Sequence, residues 1–161
     1  MDISTKVAVE SVGSERRHFL MLQMPCGRFA QQLQKSIRSS GHRCTRVAVN
    51  GGDLMGTFRG RTIAYFKSYA DWPSWIAEFA RKEGVTDLIC YGDCRPYHRV
   101  AIQTLKPLGI RIFVLEEGYL RPNWITCEMN GVNGHSVLTE LDLDRVPALA
   151  RPPEEEKLPG S

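Results

Sequence analysis

The sequence predicts an α/β fold built on a doubly wound, mainly parallel sheet. Three observations carry this. Apolar runs of strand length alternate with segments whose apolar residues recur at helical spacing. The connections between them are short and marked by Gly, Pro, Asn or Asp. Residues capable of chemistry gather just after the apolar runs, on what would be one edge of the sheet, where open α/β sheets bind ligands.

In chain order, residues 1–15 show no persistent period and are expected to form a loose leader. Arg17 to Met24 predicts a buried first strand, closed by Pro25-Cys26-Gly27 and followed by a helix with Phe29, Leu33 and Ile37 on its apolar side. Gly41 stops that helix, and Arg43 to Val49 alternates as a second strand would. Thr62 to Phe66 is a third apolar patch. Asp71 is placed to cap, and Pro73 to occupy the first turn of, a helix running to Lys82 or Glu83 and ended by Gly84. Asp87 to Tyr91 predicts a strand. A helix with apolar positions Val100, Ile102, Leu105 and Leu108 returns to the strand Ile110 to Leu115, and Trp124 to Cys127 predicts a short strand beyond it. Residues 16–138 thus read as one Rossmann-like domain, and 139–161 as an acidic, proline-containing tail expected to be disordered.

At 161 residues, 42% hydrophobic and 24% charged, the chain has room for a hydrophobic core, and the composition excludes a disordered or fibrous protein. No apolar run approaches the roughly 20 residues of a membrane helix, and Met1 to Lys6 lacks the layout of a secretory signal, so a cytoplasmic location is expected. Five scattered cysteines without a Cys-x-x-Cys pair argue against a disulfide framework or a structural zinc site. The net charge of +3 hides an asymmetry: residues 1–139 carry 18 basic and 12 acidic side chains, residues 140–161 carry 3 and 6. The basic excess could serve anionic lipid, a nucleotide sugar or nucleic acid. Arg28, Lys35, Arg38, Arg43 and Arg46 could face a membrane, although a solvated helix face is the commoner reading.

Four expected strand ends carry the candidate chemistry: Pro25-Cys26-Gly27-Arg28, Asn50-Gly51-Gly52-Asp53, Gly92 to His98, and Glu116 to Arg121. Glycine lets backbone amides approach a ligand, here at Gly27 and Gly51. Asp93 and Glu117 could handle protons or form a covalent bond, and Arg95 and Arg121 could hold an anionic group. Successive residues of a strand point to opposite faces, so only one of Glu116 and Glu117 is expected to enter a shared cleft. Asp93 reads equally as a helix cap, and Asn50 to Asp53 as a tight turn. His98 could be a general base or an anion donor, or simply sit against a helix dipole. Cys94 raises thiol catalysis, which lacks an orienting partner. Trp72, Trp75 and Phe79 read as core or interface residues, His18 and His42 as structural, and His135 as an exposed loop residue. The absence of Gly-x-Gly-x-x-Gly and of a P-loop counts against a dinucleotide oxidoreductase or P-loop enzyme.

Gln23 to Phe29, Asn50 to Asp53, Tyr91 to His98, Glu116 to Pro122 and Val132 to Ser136 together resemble the amino-terminal part of the bacterial capsular polysaccharide biosynthesis and export family, in particular its KpsS-like members. The resemblance covers about residues 17–138 and implies the N-terminal domain of a GT-B glycosyltransferase. It implies a retaining β-Kdo transferase that uses CMP-Kdo to build a Kdo linker on phosphatidylglycerol at the cytoplasmic face of the inner membrane. Its partners would be that lipid acceptor, the nucleotide sugar and the capsule export proteins, with no nucleic acid, cofactor or metal. Retention calls for a reacting carboxylate and a second group to move protons. On this resemblance Glu117 is the reacting carboxylate, with Glu116 or Asp93 as acid/base or support. Arg95, His98 and Arg121 would hold the anionic sugar or lipid phosphate, with Gly27, Asn50, Gly51 and Asp53 lining the substrate site. Related Kdo transferases look as though they carry Glu-Asp-Gly where this chain has Glu116-Glu117-Gly118. Because the resemblance stops near Leu138, the expectation is that the chain holds only the N-terminal half of such an enzyme. The alternatives are a non-catalytic binding or assembly module of the capsule export machinery and, on fold analogy alone, a small nucleotide-binding regulator.

Overall fold

The computed structural model describes residues 16–25, 28–54, 60–118, 124–132 and 136. The expected leader and tail lie outside these residues. In chain order the elements are β1 (His18–Leu22), α1 (Arg28–Ser39), β2 (Arg43–Ala48), α2 (Gly51–Leu54), β3 (Arg61–Ala64), α3 (Trp72–Glu83), β4 (Asp87–Tyr91), α4 (Pro96–Leu105), β5 (Arg111–Glu117) and β6 (Ile125–Met129). They build one six-stranded sheet of order β3-β2-β1-β4-β5-β6. The first five strands pair in parallel, and β6 joins β5 antiparallel. The stretch between β5 and β6 is too short for the crossover that a parallel neighbour requires. The fold is α/β and Rossmann-like, as the alternation of apolar runs and helical segments predicts.

Alternate residues of β1, β2, β4 and β5 feed two cores. Leu20, Leu22, Val47, Leu88, Cys90, Ile112 and Val114 meet Trp72, Ile76 and Ala80 of α3 and Ala101 and Leu105 of α4 on one face. Met21, Cys44, Ile89 and Leu115 meet Ala30 of α1 on the other, with Phe29, Leu33 and Ile37 packed against them. Both faces bury apolar side chains, which is why the strands read as near-continuous apolar runs. Trp72 is fully buried and donates from Nε1 to the Tyr97 carbonyl at 3.0 Å, while Trp75 and Phe79 stack beside it as part of the same core.

Three local expectations are corrected. A turn of 3-10 helix precedes α3, and Ser68, not Asp71, supplies the capping oxygen; Asp71 instead accepts a hydrogen bond from the Ser68 hydroxyl at 2.8 Å. On α4 Leu105 is fully buried with His98 and Ala101, and Val100 and Ile102 pack half-buried against the same core as expected, but Leu108 lies exposed in a following 3-10 turn. Arg46 belongs to no solvated helix face: it is a buried residue of β2.

The amino-terminal edge of the sheet is closed by ion pairs. Asp87, wholly buried, is held by Arg17 and Arg111 and by the Thr86 hydroxyl at 2.6 Å. Burial alone would raise the Asp87 carboxyl's pKa, and the bonds from Arg17, Thr86 and Arg111 together bring it below its ordinary value. Glu83 is bracketed by Arg43 and Arg61 at 3.0 and 2.7 Å, and the bond from Arg61 leads in lowering its pKa to about 2. His18, buried, spans Glu83 O and Thr45 Oγ1, both at 2.9 Å. His42 takes the Arg17 N–H at 3.3 Å. Both histidines are structural.

Candidate functional site

The strand order reverses between β1 and β4: the chain winds outward from β1 to β3, then crosses back and winds the other way through β4 and β5. That switch point opens a crevice beyond the carboxyl ends of β1 and β4, the place where such sheets bind ligands. Arg95 spans it, its guanidinium reaching the Gln23 carbonyl at 3.4 Å. Gln23 itself takes a positive φ of 36°, uncommon for a non-glycine residue.

A cavity of about 270 Å³ lies at this edge, lined by Tyr91, Gly92, Asp93, Cys94, Arg95 and Glu116. The strand pleat decides which carboxylate of the pair reaches it. Glu116 pairs with Thr126 and lies on the α4 side of β5, whereas Glu117 pairs with Ile125, is exposed and points to the opposite face. The structure therefore brings Glu116 to Asp93. Gly118, just beyond, packs so closely on Trp124 that an added Cβ would lie 2.7 Å from the Trp124 Cβ, so close approach requires glycine there.

Asp93 does not cap α4; the N-cap position is Arg95, which makes no side-chain cap bond. The Asp93 carboxylate accepts instead from the Cys94 thiol at 3.1 Å and from the Val132 N–H at 3.4 Å. Its hydrogen bond with Asp93 raises the pKa of the Cys94 thiol, which disfavours the thiolate and thiol catalysis with it. Burial pushes Cys44 and Cys90 up to about 12, so they are inert core thiols.

His98 lies beneath this loop and is fully buried. Its Nδ1 is 2.6 Å from the Gly92 carbonyl, and its Nε2 has no hydrogen-bond partner among the described residues. Burial lowers its pKa, against an opposing effect of the Gly92 bond, with Arg95, Asp53 and Asp93 as the charged neighbours. Asn50 and Asp53 close on themselves: the Asp53 N–H donates to Asn50 Oδ1, and the Val49 N–H to Asp53 Oδ2, both at 2.9 Å. The Asn50 oxygen caps the single turn α2, the Asp53 oxygen ties that turn back to Val49, and Gly51 is exposed at its start. Gly27, Arg121 and His135 lie outside the described residues.

Tyr91 and Gln23 belong to the site without having been singled out from sequence as ligand groups. Their contribution is position at the ends of β4 and β1, which leaves no mark in side-chain chemistry. A larger cavity, about 680 Å³, lies elsewhere, against the outer face of α1, where Arg28, Lys35 and Arg38 line it with Gln31, Gln32 and Ser39. No described carboxylate, thiol or imidazole lines it, so the strand-end cavity, with Asp93 and Glu116, is the better candidate for carboxylate chemistry. Among the described residues no helix is long and apolar enough to cross a membrane.

Fold and site together define an α/β domain that presents paired carboxylates and an arginine at the carboxyl edge of its sheet. Residues 86–144, which carry β4, α4, β5 and β6, match the family of capsule polysaccharide biosynthesis proteins. The chain is 37% identical over 122 residues to the capsule polysaccharide export protein KpsS of Escherichia coli, an alignment covering 76% of this chain and 31% of that protein. It is 30% identical over 139 residues to the capsule polysaccharide modification protein LipB of Neisseria meningitidis, covering 83% and 33%. KpsS and LipB are thus homologues of this chain, whose residues 86–144 match the capsule polysaccharide biosynthesis family, and the chain spans about a third of the length of these curated relatives.

Proposed function

We propose that within capsule polysaccharide biosynthesis this chain supplies the carboxylate-bearing part of a glycosyl-transfer site that moves β-Kdo from CMP-Kdo to a phosphatidylglycerol acceptor with retention. The observation that carries this reading is the pairing of Asp93 and Glu116 around one cavity at the switch point. Two carboxylates at one reacting centre divide the work of retention, one attacking or stabilising the anomeric carbon and the other moving the proton. Glu116 takes the role that sequence reasoning gave to Glu117, because it faces the cavity. Arg95, at the cavity wall, is suited to the sugar carboxylate or a phosphate. The surface of the inner membrane on its cytoplasmic side is the proposed place of action.

The test is transfer from CMP-Kdo to short-chain phosphatidylglycerol, assayed with the chain alone and with a carboxy-terminal partner segment from a relative. Asp93→Asn and Glu116→Gln should each lower turnover by at least about a hundredfold, the scale of a lost acid/base group, and Glu117→Gln far less. Full activity in Glu116→Gln would sink this assignment. A second reading, a binding or assembly module, is favoured by the cavity's size: about 270 Å³ is smaller than a pocket that encloses a whole ligand. Lipid binding that survives all three substitutions, without transfer in either format, would favour it.

A further inference from the structure

We infer that His98 is a positioning residue: its buried Nδ1–H fixes the Gly92 carbonyl, and so sets the direction in which Asp93 enters the cavity, without touching the ligand. The inference rests on the reading of Asp93 as a site residue, but the geometry behind it is separate. The Gly92 N–H donates to Leu115 O of β5 at 2.8 Å, and the Gly92 carbonyl lies 2.6 Å from His98 Nδ1 of α4. The residue preceding Asp93 is thus held from two elements. Gly92 sits at φ +75°, a conformation that other residues adopt only with strain, so the turn is fixed by backbone as well as by partners. Asp93 is then steadied on its far side by the Cys94 thiol and the Val132 N–H.

The other ring nitrogen explains why this support is constant. A carbonyl can only accept, so Nδ1 carries the proton and Nε2 is left as a bare acceptor. Nε2 is buried without a partner among the described residues. Protonating it would place an uncompensated charge in the interior, which costs more than the unpaired lone pair does. The charged groups around the ring, Arg95, Asp53 and Asp93, do not reverse this, and Asp53 is already engaged by the Val49 N–H. The imidazole is therefore held neutral with its proton on the side that faces Gly92. A residue wholly removed from solvent, under the loop and not in the cavity wall, cannot serve as the direct sugar or phosphate ligand that its sequence position suggests.

The experiment uses the full chain labelled with 15N-histidine and 13C-aspartate. In the free protein the His98 ring should still show the neutral Nδ1–H signature at the ordinary histidine midpoint of about 6.5, where a solvated imidazole is half protonated. Adding CMP or short-chain phosphatidylglycerol should leave both ring nitrogens unmoved. His98→Leu, which removes the donor, should displace the Gly92 amide resonance and the Asp93 carboxyl titration while the amides of β1 and β2 stay in place. His98→Asn, which keeps a donor at the Nδ1 position, should return both toward wild type. An Asp93 titration unchanged in His98→Leu would overturn the inference, as would a ring nitrogen that shifts on adding either probe. If His98→Leu does not fold, His98→Asn decides: a wild-type Asp93 titration supports the positioning role, and a displaced one over an intact sheet refutes it. The free-protein readouts need no transfer activity, so failure of the Kdo-transfer reading would leave them standing.

Discussion

Each edge of the sheet buries one histidine, and the two are satisfied to different degrees. At the amino-terminal edge both nitrogens of His18 have partners, Glu83 O and Thr45 Oγ1, in a setting where Asp87 and Glu83 are each bracketed by two arginines. At the carboxyl edge His98 has one partner and one orphan nitrogen, beside carboxylates that line a cavity. The ion pairs of Asp87 and Glu83 therefore lie at the edge away from the candidate chemistry. Paired charges perturb pKa values for structural reasons too, so a perturbed group marks a site only when it also lies at a cleft.

The largest effect expected from this contrast is at Asp87. Asp87→Ala leaves two arginines facing a buried gap and should cost about 3 kcal/mol, at the lower end for a broken buried pair because Arg17 and Arg111 are partly exposed. A urea midpoint that stays put would mean that the amino-terminal edge is not held by charge. Next come the histidines themselves. His18→Leu strands two partners and should cost about 2 kcal/mol, against about 1 kcal/mol for His98→Leu, which strands one. Equal losses in thermal melts would erase the contrast.

Acid should sharpen it. Burial leads in lowering both histidine pKa values from the ordinary 6.5, so the unfolded chain takes up protons that the folded one refuses. Their contribution is fully present above 6.5 and is lost as pH falls from there through the folded values. The slope of stability against pH below 6.5 should flatten in the double variant His18→Leu/His98→Leu. An unchanged slope would assign acid sensitivity to the carboxylates instead. The smallest expected effect is on the stability of the site: Asp93→Asn and Glu116→Gln should melt within about 1 kcal/mol of wild type, as surface substitutions do. A larger loss would make them structural, like Asp87.

Much of the fold was legible in the sequence because local chemistry decides it. The apolar runs, the helix stops at Gly41 and Gly84 and the Pro73 first turn all depend on neighbours along the chain. The failures were nonlocal. Asp71 and Ser68 both suit a cap, and only the 3-10 turn before α3 decides between them. Leu108 keeps the helical spacing of its apolar neighbours, yet α4 tightens into a 3-10 turn before reaching it. Asp93 reads as a cap from sequence because Pro96 follows, whereas Val132, 39 residues away, supplies a donor to it.

By itself the sequence determined the class of fold, the edge at which chemistry gathers and the group of residues gathered there, because periodicity and turn residues act over a few positions. It also determined that adjacent Glu116 and Glu117 must part company across a strand. Tertiary structure alone decided which one joins Asp93, because that depends on the face of β5 that α4 covers. It likewise turned His98 inward beneath Gly92, since burial is a property of packing between elements and leaves no trace in the order of residues.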